Sequence, residues 1–118
     1  MIKKQIRFKY KKGYRFERRV MELLKKAGCY SIRAGKSSFP DICAITGTGE
    51  PVFIECKNRA KIPFDPIKLL SKEEYRNALE LVKANNTPFI LAFNKKGKII
   101  GVCVGGKGIH LLYKLGFR

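Results

Sequence analysis

The sequence predicts an α/β domain, a mixed central β-sheet flanked by helices, with elements in the order α-β-β-β-α-β-β. Three observations carry that prediction. Apolar residues between Tyr14 and Ala27 recur at helical spacing. Strand-like runs separated by turn residues follow between Cys29 and Lys57. A second helical stretch, opened by a capping box at Ser71, then precedes two further apolar strands. With 118 residues and 45% apolar content, the chain can hold one domain with a modest core.

Taken in order, Ile6, Phe8 and Tyr10 alternate with Arg7, Lys9 and Lys11, which reads as a short extended segment ending at Lys12-Gly13. Residues 1–12 are thus expected to form a basic arm, and residues 13–118 the folded domain. Phe16, Val20, Leu23, Leu24 and Ala27 make the apolar stripe of the first helix, which Gly28 ends. Strands are expected over Cys29–Ala34, Asp41–Thr46 and Val52–Lys57. The polar loop Gly35-Lys36-Ser37-Ser38 separates the first two, and the short Gly47–Gly49 turn makes the second and third an antiparallel pair. Asn58 to Leu70, with Pro63 and Pro66, reads as a loop. Ser71 and Glu74 open a helix to about Asn85, with Tyr75, Ala78, Leu79 and Val82 as its apolar stripe. Strands at Pro88–Asn94 and Lys98–Val104 flank the turn Lys95-Lys96-Gly97, and the last ten residues suit helix or strand alike.

Charge indicates the partner. Twenty-six Lys and Arg stand against nine Asp and Glu, a formal +17 that only a polyanion makes useful. Seven cations precede Glu17 with no acid among them. No basic amphipathic helix, lipidation motif, signal segment or membrane-spanning run is found, so nucleic acid is favoured over a membrane and a cytoplasmic location is expected. The four cysteines are widely spread without a CxxC pair and His110 is the lone histidine, a pattern that suits reduced thiols rather than structural zinc. His110 suits a structural or exposed role, and Tyr10, Tyr14 and Tyr113 suit packing or stacking on bases.

The informative residues are acidic. Asp41 opens a strand directly after Pro40, while Glu55 and Lys57, two apart on the neighbouring strand, share one face. Val52, Ile54 and Cys56 then face apolar packing. The hairpin brings the two carboxylates and the ammonium together near the sheet edge. Such oxygen donors suit Mg2+, with Mn2+ as an alternative, and a lysine beside them can orient water or neutralise an attacked phosphodiester. Glu17, at the border of the first helix's apolar stripe, is positioned to join them.

Pro40-Asp41, Glu55 and Lys57 resemble the PD-(D/E)xK nuclease signature. With their neighbours KGYRFERR (Lys12 to Arg19), IRAGKSSFPDICA (Ile32 to Ala44) and VFIECKNR (Val52 to Arg59), they resemble the archaeal Holliday junction resolvase family. The resemblance implies a restriction-endonuclease-like fold, a homodimer and metal-dependent cleavage of four-way DNA junctions. It implies Glu17, Asp41, Glu55 and Lys57 as catalytic residues. Asp41, Glu55, Glu17 and the Cys56 carbonyl are the implied metal ligands. Arg18 and either Ser37 or Ser38 would contact DNA, with Lys12, Arg15, Lys36 and Arg59 extending that surface. A dimer interface is expected between Ile99 and Tyr113. Two other readings fit the same residues: a repair or restriction nuclease of the same fold, and a non-catalytic DNA-binding module.

Overall fold

A computed structural model gives the protein's fold; it describes residues 2–35 and 39–117, with side chains from Tyr14 onward. Helix α1 spans Ile2–Lys26. Strands β1 (Tyr30–Arg33), β2 (Ile42–Ile45) and β3 (Pro51–Lys57) follow. A 3-10 turn at Pro66–Leu69 leads into α2 (Lys72–Asn85), then β4 (Phe89–Lys95), β5 (Lys98–Val104) and a short α3 (Ile109–Lys114).

The expected extended segment at Ile6–Tyr10 is corrected: its backbone belongs to α1, which runs without a break through Gly13. Lysine, arginine and glutamine are good helix formers, and one interior glycine costs only about 1 kcal/mol. Every-second-residue alternation over so few positions does not outweigh that. At the other end the helix stops as expected. Gly28 takes a φ of 85°, and the Cys29 and Gly28 amides donate to the Leu24 and Lys25 carbonyls, satisfying the last turn.

The five strands form one sheet in the order β1-β2-β3-β4-β5, antiparallel except for the parallel β3–β4 pair. Alternating side chains divide the core in two. On one face Ile42, Ala44, Val52, Ile54, Ile90 and Ala92 pack against Phe16, Val20 and Leu24 of α1 and Leu111 of α3. On the other, Phe89, Leu91 and Phe93 pack with Phe53 against Ala78, Leu79 and Val82 of α2. The crossover through α2 is what a parallel β3–β4 pair requires. Its start is the anticipated capping box: the Ser71 hydroxyl accepts from the Glu74 amide, and the Glu74 carboxylate accepts from the Ser71 amide.

The C-terminal segment is largely absorbed into this core. Leu111, Leu115 and Phe117 are buried, so of its large apolar residues only Ile109 and Tyr113 stay exposed. No helix among the described residues is long and apolar enough to cross a membrane.

Candidate active site

Register places the acidic residues. Ile42 lies opposite Ile54, so Asp41, one residue earlier, meets the neighbourhood of Glu55, one residue later. The Asp41 amide donates to Glu55 Oε1 at 3.0 Å, and the Cys56 amide donates to Asp41 Oδ2 at 2.9 Å. Each carboxylate is thereby held by the other residue's strand. Lys57 Nζ lies 3.5 Å from Glu55 Oε2 and 2.8 Å from Glu74 Oε2. The trio expected from the sequence is therefore assembled. It lies at the carboxyl end of β3, the middle strand, rather than at a sheet edge. Glu55 and Lys57 share the α2 face, while Ile54 packs into the α1 face with Cys56 against it.

Electrostatics at this point disfavour a second negative charge beside Asp41. Glu55 is only 5% exposed. Burial, then the charge of Asp41, pushes its carboxyl up to about 8, against the opposing pull of Lys57. Burial and the fields of Asp41, Glu17 and Glu55 likewise raise the Cys56 thiol. Three carboxylates thus bear on one short stretch of β3. Asp41 and Glu55 meet at hydrogen-bonding range, and the Glu17 carboxylate, whose charge also reaches Cys56, is ion-paired with Arg33.

Among the candidate DNA contacts, Arg15, Arg18 and Arg59 are exposed. Arg18 lies 5.8 Å from the Tyr14 ring centre, with Arg33 closer at 4.4 Å. Lys36, Ser37 and Ser38 and the side chain of Lys12 lie outside the described residues. His110 sits at the opposite end of the strands, exposed and 3.3 Å from Glu50 in the β2–β3 turn segment. All four cysteines are free thiols.

Two participants have no sequence pattern to announce them. Arg33 reaches Glu17 across the α1–β1 packing, and Glu74 reaches Lys57 from the first turn of α2. Both pairs join residues 16 or 17 apart on different elements, beyond any helix or strand periodicity. Only the capping role of Glu74 is visible locally.

Comparison with known proteins shows the family. The family model described as archaeal Holliday junction resolvase (Hjc) matches residues 8–104. The chain is 35% identical, over an alignment of 107 residues covering 80% of each protein, to the crossover junction endodeoxyribonuclease Hjc of Methanocaldococcus jannaschii. A solved structure of Archaeoglobus fulgidus Hjc, a Holliday junction resolvase, superposes with a TM-score of 0.65 at 28% identity. That match covers 79% of this chain and 73% of the other. With its mixed sheet, its paired carboxylates and a family match spanning most of its length, this chain belongs to the archaeal Holliday junction resolvase (Hjc) family.

Proposed function

We propose that this protein resolves four-way DNA junctions by divalent-metal-dependent hydrolysis of phosphodiester bonds, with Asp41, Glu55 and Lys57 at the centre of the reaction. The observation that carries the reading is the Asp41–Glu55 contact. Two carboxylates meet in a largely buried site, one of them made to keep its proton near neutrality. A hard divalent cation fits that donor set, because it would replace the proton and cancel the repulsion. Asp41 and Glu55 would hold Mg2+ or Mn2+, with the Cys56 carbonyl and, through water, Glu17 completing the shell. When bound, such an ion lowers the pKa of water and stabilises charge on the attacked phosphate.

The chain's own residues do the rest. The β2–β3 ladder fixes the spacing of the two carboxylates, and the Cys56 amide holds one Asp41 oxygen in place. Lys57, with its side chain 12% exposed, is positioned to orient the attacking water or to neutralise the pentavalent phosphate. Arg15, Arg18 and Arg59, with Lys12, Lys36, Ser37 and Ser38, would contact the backbone around the cut. A two-fold dimer suits the paired symmetric incisions that a junction needs.

The test is cleavage of a synthetic four-way junction against linear duplex of the same sequence, in Mg2+ and in Mn2+. Wild type should cut the junction preferentially, and Asp41→Asn, Glu55→Gln and Lys57→Ala should each abolish cutting. Equal cutting of both substrates would favour a general nuclease of this fold. Activity surviving all three substitutions would remove the site assignment.

A further inference from the structure

We infer that Glu74 is a positioning residue for Lys57, with the Ser71 backbone amide at the start of α2 anchoring its other carboxylate oxygen. The inference rests on the nuclease reading above. Lys57 Nζ has two acidic neighbours at different ranges. Glu74 Oε2, at 2.8 Å, is hydrogen-bonded, whereas Glu55 Oε2, at 3.5 Å, is an ion pair beyond good hydrogen-bond length. The closer partner sets the direction of the ammonium. Without it Lys57 would be left with Glu55 alone, at the longer range, and its ammonium would lose its fixed direction.

Glu74 is suited to this because its own freedom is gone. Its Oε1 accepts from the Ser71 amide at 2.9 Å, and its amide donates to the Ser71 hydroxyl at 3.0 Å. The two carboxylate oxygens are thus committed separately, one to the helix start and one to Lys57. Burial works to raise this carboxyl, yet the Lys57 and Ser71 hydrogen bonds outweigh it and hold Glu74 below the usual carboxylate range. The helix carrying it is fixed in turn by buried Ala78 and by Leu79 and Val82 against the sheet. A displacement of α2 would therefore be felt at the lysine.

Glutamine separates the two duties. It is accepted in capping boxes, but its single carbonyl oxygen cannot serve both Ser71 and Lys57. Glu74→Gln should keep the thermal midpoint near wild type, reduce kcat on a saturating four-way junction by roughly ten- to a hundredfold, and leave junction affinity unchanged. Ser71→Ala leaves the Ser71 amide and the Lys57 contact in place. It should lower the thermal midpoint by about 4 °C and keep kcat within about twofold of wild type. Amine acylation of Lys57, followed by mass spectrometry, reads its position independently of activity: labelling should rise several-fold in Glu74→Gln and stay unchanged in Ser71→Ala. Unaltered kcat and labelling in Glu74→Gln would overturn the inference, as would an equal kcat loss in Ser71→Ala. Should wild type fail to cut any junction in Mg2+ or Mn2+, the proposed function falls and the Lys57 labelling alone decides the positioning.

Discussion

Replacing Glu55 by glutamine should stabilise the metal-free protein, by an amount that grows with pH. The folded carboxyl holds its proton to about pH 8, whereas its ordinary value is 4.5. Between those values the folded state binds more protons than the unfolded chain, so stability falls as pH rises through the window. Each pH unit is worth a little over 1 kcal/mol, and the whole interval comes to about 4–5 kcal/mol. Glutamine imitates the protonated acid and does not titrate. In chelator, the two proteins should have similar stability at pH 4.5, differ by about 3 kcal/mol at pH 7 and reach the full difference near pH 9. Guanidinium denaturation of both proteins at each pH gives the difference directly. Saturating Mn2+ should then recover most of it in wild type and nothing in Glu55→Gln, because the ion takes the place of the proton. A gap that stays constant with pH, or a wild type that is the more stable protein at pH 9, would refute the reasoning.

Other consequences follow from the same geometry. Asp41→Asn should reduce junction cleavage roughly a thousandfold or more while the protein stays folded, read by gel assay beside circular dichroism. Junction binding in metal-free buffer should weaken by about a thousandfold or more between 50 and 200 mM salt if six or more phosphates are neutralised; a flat response in fluorescence anisotropy would contradict the basic-surface argument. Leu24→Ala, at a fully buried position of α1, should cost about 2–5 kcal/mol in chemical denaturation. Gly101→Ala should also destabilise, by about 1–3 kcal/mol, because a Cβ there would stand 2.7 Å from Phe117 Cγ and 2.9 Å from Leu112 Cδ2.

Local chemistry made much of this molecule legible before its structure. Phe16, Val20 and Leu24 mark a buried helical stripe, and Gly28 and Ser71 mark the helix ends at which they are found. The turn after Thr46 is short enough to force the β2–β3 hairpin, and the hairpin alone sets Asp41 beside Glu55. Sequence reasoning failed where competing patterns were short or the partners distant. Six alternating residues at Ile6–Lys11 look extended, but helix propensity prevails over them. The centre of the sheet could not be placed until β4 was known to run parallel to β3, which puts β3 in the middle. The Arg33–Glu17 and Glu74–Lys57 pairs depend on how α1 and α2 pack, and packing leaves no mark at either residue's own position.

Anomalous diffraction from crystals soaked in Mn2+ tests the core of the account most directly. A single strong peak should lie between the side chains of Asp41 and Glu55, at roughly 2.0–2.3 Å from an oxygen of each, and vanish in Glu55→Gln crystals. An ion bound elsewhere on the protein, with these two carboxylates left in mutual contact, would contradict it.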